Sequence, residues 1–282
     1  MLGALPRRTL PAMSNHADTF QVTPEIAEMY EATFVPFLFA GLARSLVDAA
    51  DVGPGRRLLD VACGTGIVAR TAAELIGSTG RVVGLDLNEA MLDVARRLDP
   101  KLEWRQGDAA DLPFADGEFD VVTCQSGLMF LADEAAAVTE MARVTDSGGT
   151  VAIQLWSSPE RQPGFGPLAD SVARHAGPES VNLISTYFRL GDPDQFGKVC
   201  ASAGLEVTGV SRLPVILRAG SIDEYVTTEV ESTPLVEQLS QSAYDRIRAD
   251  ANAALAQYCD ESGALAMPAE VYLLTARKPG AQ

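Results

Sequence analysis

The run DVACGTGIVA, residues 60–69, decides how this chain is read. It follows the apolar pair Leu58-Leu59 and leads into Val68, Ala72, Leu75 and Ile76, which fall on one face of a helix. A strand, a glycine-rich turn and a helix make the unit with which α/β folds hold nucleotide-like ligands, beyond the carboxyl ends of their strands. Gly64 and Gly66 let the backbone approach a ligand with no side chain in the way. The spacing Gly64-x-Gly66-x-x-Ala69 also satisfies a dinucleotide fingerprint.

The alternation continues outward from this run. Short, β-rich apolar stretches stand at 58–63, 81–87, 102–106, 119–124 and 150–156. Between them the spacing is helical, with Met91, Val94, Ala95 and Leu98 on one face. Strands buried on both faces and alternating with helices predict a doubly wound, Rossmann-like α/β core with parallel strands. Before it, TPEIAEMYEATFVPFLFAGLARSLVDAADV (23–52) predicts two helices broken at Pro36. After Trp156 the rhythm changes. SSPERQPGFGP (157–167) predicts a loop, 167–190 is irregular to helical, and 193–217 reads as a helix, a stop at Gly204 and a strand. Residues 221–262 are largely helical, and AEVYLLTARKP (269–279) predicts a closing strand. The expected organisation is a disordered start over 1–19, N-terminal lid helices over 20–50 and a ligand-binding core over 51–156. The rest of the core sheet then follows over 157–282, with lid insertions at 157–190 and 218–266.

Composition narrows the ligand. The chain has 282 residues, 47% of them hydrophobic, and 38 acids against 22 bases give a formal charge of −16. Such a surface repels phosphate backbones, and the pairs Arg7-Arg8, Arg56-Arg57 and Arg96-Arg97 are isolated, so no nucleic acid partner is expected. Cys63, Cys124, Cys200 and Cys259 are widely spread, which argues against a disulfide framework and against a metal site. The opening MLGALPRRTLPAMS does not fit a secretory signal, and no run of eighteen apolar residues occurs; a cytoplasmic protein without a membrane span is expected.

Asp86 ends the second apolar stretch, twenty residues past Gly66, where it can accept hydrogen bonds from two ribose hydroxyls. That pair of features fits NAD and S-adenosylmethionine equally. Three further stretches separate them: VVGLDLNEAML (82–92), GDAADLPFADGEFDVVTCQSGLMFL (107–131) and EMARVTDSGGTVAIQLW (140–156). With LLDVACGTG (58–66) they resemble the ordered motifs of the class I S-adenosylmethionine-dependent methyltransferases. The likeness is greatest to the small-molecule group around the ubiquinone/menaquinone C-methyltransferases. It covers 25–156, with weaker echoes such as ASAGLEV (201–207) beyond. Ala62 stands where many members have glycine, and Asp146-Ser147 replaces a lysine-proline turn.

The resemblance implies a seven-stranded sheet and a set of donor contacts. Asp60 and the backbone of Ala62, Cys63, Gly64 and Gly66 would hold the methionine portion, and Asp86 the ribose. Leu87 would lie against the adenine, with Met91 also at the donor. Asp108 would accept from the adenine amino group, and the Ala109 amide would meet a ring nitrogen. Gln125 would stand beside the sulfonium, and Tyr30 matches a tyrosine often kept near the donor.

Methyl transfer is an in-line displacement, so the protein's main task is to align the acceptor and exclude water. A base is needed only where the acceptor must lose a proton. Of the two histidines, His175 is the better general-base candidate, against the alternative of a solvated or capping residue near Gly177-Pro178, and His16 sits in the N-terminal start. Residues 127–132 with Phe34, Phe37, Phe165, Tyr187 and Phe188 could line an apolar acceptor pocket. The expected function is methyl transfer to a small, mainly apolar metabolite, at oxygen or carbon, with nitrogen open. A non-catalytic donor-binding protein and an NAD-dependent oxidoreductase are the alternatives, and the oligomeric state is left open.

Overall fold

The computed structural model describes residues 22–231 and 239–280; the expected disordered start, with His16, lies outside the described residues. Among the described residues seven strands form one sheet: β1 (Arg57–Val61), β2 (Arg81–Asp86), β3 (Glu103–Gln106), β4 (Phe119–Gln125), β5 (Thr145–Trp156), β6 (Glu206–Ala219) and β7 (Leu265–Arg277). Their order is β3-β2-β1-β4-β5-β7-β6. The pairs from β3 through β5 are parallel, as the doubly buried apolar runs predict. The helices α3 (Ile67–Ile76), α4 (Glu89–Leu98) and α5 (Glu134–Val144) make the returns.

The last two strands add antiparallel pairing to the parallel core. β7 runs antiparallel to both β5 and β6. Ala219, the last residue of β6, lies opposite Leu265, the first of β7. The two strands are therefore a long hairpin whose connection, 220–264, carries α9 (Ile222–Glu231) and α10 (Gln241–Leu255). Hairpin strands must be antiparallel, whatever the helical excursion between them. Because β6 runs parallel to β5, this excursion leaves from the carboxyl end of the sheet, where α/β folds bind ligands.

Successive residues of β1 face opposite layers. Leu58 packs with α2 (Ala40–Ala49) and α3 through Leu46, Val68 and Ala72, whereas Leu59 joins Val122, Val138 and Met141 on the other face. Beyond the sheet, α6 (Phe165–Ala176), α7 (Asn182–Thr186) and α8 (Pro193–Ser202) follow β5. Asp192 caps α8 by accepting from the amides of Asp194 and Gln195.

Pro36 does not break the N-terminal helix. From α1 (Pro24–Phe34) the chain passes through a π-helical segment, Val35–Phe39, into α2 without leaving helical backbone angles. The Val35 amide donates to the Tyr30 carbonyl and the Ala40 amide to the Val35 carbonyl, five residues back in each case. The wider turn accommodates a proline that has no amide to give. No run of eighteen apolar residues occurs, yet Pro24–Ala49 is one helix of 26 residues that is, by length and composition, apolar enough to cross a membrane. Its Ala43, Leu46 and Val47 are buried in the core beside α3.

Asp146-Ser147 is not a turn. β5 begins at Thr145, with a register shift against β4 and a left-handed Gly148, φ +77°. Arg57 ties the ends of β1, β4 and β5 by donating to Asp120 at 2.6 Å and to Asp146 at 3.0 Å.

Candidate active site

β1 and β4 are sheet neighbours although the chain visits β2 and β3 between them, which makes their carboxyl ends the switch point of the sheet. The turn after β1 needs unusual backbone. Ala62 has φ +53° and Gly64 φ +55°, angles that cost a side-chain-bearing residue about 1 kcal/mol. Ala62 therefore carries strain that a glycine would not. Its methyl is accommodated because Gly127 faces it, where an added Cβ would stand only 2.5 Å away.

The Asp86 carboxylate fixes the turn from the next strand. One oxygen accepts from the Gly64 amide at 2.7 Å and the other from the Asn88 amide at 2.8 Å. Burial raises the carboxyl above its ordinary range, and those amides pull it back down. Around it lies a cavity of about 370 Å³, of the size that small-molecule sites have. Of the twelve donor contacts expected from the sequence, nine line it: Tyr30, Ala62, Gly64, Asp86, Leu87, Met91, Asp108, Ala109 and Gln125. Leu87, 42% exposed, presents an apolar side chain to the cavity. Asp108 caps its own loop through the Ala110 amide at 2.9 Å. Gln125 reaches from β4 to the Phe39 carbonyl of the π-helical segment at 3.4 Å.

Three expected contacts do not line the cavity. Asp60 points inward, accepting from the Ala69 amide at 3.2 Å and the Thr123 hydroxyl at 3.0 Å. Burial pushes it up to about 7. It thereby holds the first turn of α3 against β4. Cys63 is buried, which drives its thiol well above the ordinary range. Gly66 is small for Trp104, whose ring lies 2.2 Å from where its Cβ would be. A bare glycine does not distinguish approach by a ligand from approach by the protein's own indole. This arrangement also disfavours a dinucleotide: a carboxylate already occupies the N-terminus of α3, where a pyrophosphate would need free amides and positive potential.

His175 likewise falls outside the cavity. Its Nε2 lies 3.0 Å from Asp250 Oδ2 on α10, and Arg174 and Ser171 donate to that same oxygen. It joins two helices through a shared carboxylate, and a general-base role for it is not supported.

Further side chains complete the cover. Burial first, then the charges of Asp86, Glu31 and Asp60, push the Tyr30 hydroxyl well above its ordinary value, so three carboxylates converge beside the glycine turn. Arg70 of α3 clasps Glu31 at 3.0 Å and the Thr65 carbonyl at 2.6 Å, latching α1 over that turn. Asn88 and Ser126, which the sequence did not single out, also line the cavity, with Gly127 and Phe130 of the expected 127–132 stretch. Phe130 sits three residues before the Asp133 cap of α5, and helical reading alone could not orient it.

A seven-stranded α/β sheet thus brings a glycine turn, an acid ending β2 and an acid after β3 around one cavity. Residues 59–153 match the family model described as methyltransferase domain. It is 42% identical over 126 residues to the demethylmenaquinone methyltransferase of Renibacterium salmoninarum, covering 44% of this chain and 50% of that one. It is 37% identical over 168 residues to the nocamycin O-methyltransferase of Saccharothrix syringae, covering 57% and 60%. The chain thus spans about half to two thirds of the curated relatives it matches. Among solved structures, the Haemonchus contortus phosphoethanolamine N-methyltransferase 2 in complex with S-adenosyl-L-methionine superposes with a TM-score of 0.58 at 20% identity, covering 91% of this chain and 57% of that one. The cyclase SpnF superposes at 0.52 with 20% identity, covering 86% and 81%. The fold alone therefore does not fix the reaction.

Proposed function

We propose that this protein transfers a methyl group from S-adenosylmethionine to a small, mainly apolar metabolite, at carbon or oxygen. The observation that carries the reading is the Asp86 carboxylate, clamped by the Gly64 and Asn88 amides at the mouth of the cavity and still holding lone pairs for a ribose diol. The residues present suit that donor. Leu87 and Met91 offer an apolar seat for the adenine, with Asp108 and Ala109 at its polar edge. The carboxylates around Tyr30 supply negative potential for a cationic head. Two buried oxygens there, Glu31 Oε2 and Thr65 Oγ1, have no hydrogen-bond partner among the described residues, capacity that an ammonium group can use.

When bound, the donor supplies a methyl carbon activated by positive sulfur. The protein's part is to orient and to exclude water. Tyr30, stacked on Phe39 at 5.5 Å and beside Phe34 at 5.8 Å, covers the donor turn. Phe130 and Leu131 line the side facing the later helices. These apolar walls, and the acidic surface around them, suit a neutral planar acceptor better than a phosphorylated one. The quinone-related and O-methylating names of the relatives support that acceptor class.

Calorimetric titration with S-adenosylhomocysteine, followed by transfer of labelled methyl to a panel of hydroquinones and phenols, tests the proposal. Binding of the homocysteine product and labelling of at least one hydroxylated aromatic are expected. Affinity for NAD alone would overturn it.

A further inference from the structure

Beyond the donor cavity the interior is aromatic, with one group that does not belong in an aromatic wall. Phe130, which lines the cavity, meets the Tyr187 ring edge-on at 5.7 Å. Tyr187 meets Phe165 at 6.3 Å, and Phe165 meets Tyr225 of α9 at 6.2 Å. One turn further along α9 comes Glu229, only 7% exposed and on the face that buries Ile222, Tyr225, Val226 and Val230. The Tyr225 hydroxyl is buried and has no hydrogen-bond partner among the described residues. A buried orphan hydroxyl in a native interior calls for a further partner, such as a ligand oxygen.

These groups communicate with the donor end. After burial, the Glu229 charge is the largest influence raising both the Tyr187 and the Tyr225 hydroxyls, and Tyr187 also feels Tyr30. Burial pushes Glu229 up to about 8, so its carboxylate form grows in as pH rises past neutrality and is then basic enough to take a proton from a weakly acidic hydroxyl. α9 hangs from the tip of the β6–β7 hairpin, at the carboxyl end of the sheet where the cavity opens.

We propose that Tyr225 and Glu229, with Tyr187, form the acceptor end of the site, where they hold a phenolic or enolic hydroxyl and take its proton. The inference rests on the methyltransferase reading and names the acceptor class and the base. The acceptor O–H bond breaks and its proton goes to a Glu229 oxygen, leaving the electron pair on the acceptor. That pair, directly or through the conjugated carbon, forms the bond to the methyl carbon while the carbon–sulfur electrons return to sulfur. With attack through oxygen, Glu229 passes the proton to solvent. With attack through carbon, Glu229 returns it to the oxygen and the displaced ring proton leaves instead. Either way one proton is released per methyl group.

The test uses 1-naphthol as the probe, titrated into the full chain saturated with S-adenosylhomocysteine, with naphtholate absorbance as the readout. The wild type should bind the probe and favour its ionised form. Glu229→Gln should weaken binding about ten- to a hundredfold and abolish the naphtholate signal, as loss of a charge-assisted partner does. Tyr225→Phe should weaken binding about fivefold with the signal kept. Both variants should bind S-adenosylhomocysteine within about twofold of wild type, which also shows that they fold. Equal probe binding by all three proteins, or none by the wild type, overturns the assignment. Failure of S-adenosylhomocysteine to bind the wild type instead overturns the methyltransferase reading on which it stands.

Discussion

The Asp86 carboxylate accepts the Gly64 amide at 2.7 Å across the gap between β2 and the turn after β1. The residue proposed to meet a ribose is thus also the clamp that shapes the loop beside it. Asp86→Ala should therefore cost both affinity and stability, not affinity alone. Losing a charge-assisted acceptor predicts about 1.5–3 kcal/mol in S-adenosylhomocysteine binding, together with a lowered melting temperature. Calorimetry and thermal melting on one preparation check this; an unchanged dissociation constant would remove Asp86 from the donor site.

Ala62 and Gly127 form a matched pair. Ala62→Gly relieves a left-handed φ of +53° but loosens the unfolded chain, so stability should change by less than about 1 kcal/mol. Gly127→Ala drives a methyl to 2.5 Å from the Ala62 Cβ and should destabilise by about 1–3 kcal/mol. The double variant should recover most of that loss. Urea titrations of the three proteins would show the coupling, and simple additivity would refute it.

Asp60, raised to about 7, makes stability depend on pH with a definite sign. Its folded value lies above its unfolded one, so the folded state binds more protons and stability falls as pH rises from about 4 to 7. Glu229, raised to about 8, extends the fall by a further unit. Asp60→Asn should flatten the lower part of that slope, and Glu229→Gln should melt higher than wild type at pH 8 while matching it at pH 4. A wild-type melting temperature that climbs between pH 5 and 8 would contradict both.

The Arg70–Glu31 pair is less than one-fifth exposed on either side and latches α1 to the glycine turn. Arg70→Ala should speed amide exchange across 24–39 by about fivefold, the equivalent of about 1 kcal/mol. S-adenosylhomocysteine should slow exchange there in the wild type. Indifference of that segment to both would deny α1 a covering role.

Much of this was legible before any coordinates. Doubly buried apolar runs marked β1, β2, β4 and β5, short β-rich spacing marked the half-exposed edge strand β3, and the spacing from Gly66 to Asp86 marked the strand ends where a ligand was expected. What the sequence hid was direction. Periodicity finds α9 but does not say that Glu229 shares the buried face of Tyr225, nor that a helical excursion can sit inside a hairpin. Asp60 and Asp86 look alike as strand-end acids, yet one turns into the core and the other to the cavity. Pro36 reads as a break because its effect depends on whether a wider turn can take it in, and here the turn does.

The two tryptophans of the chain divide the site between them. Trp104 lies over Gly66 and Gly84, beneath the donor turn, with its indole nitrogen donating to the Asp99 carbonyl at 2.8 Å. Trp156 ends β5 and packs edge-on against Phe165 at 5.7 Å, in the aromatic wall that leads to α9. Neither lines the cavity, but each stands behind a different part of its surroundings. With Trp104→Phe the remaining fluorescence would report acceptor entry, and with Trp156→Phe it would report donor entry. The order in which the two molecules arrive could then be followed in real time, without a label.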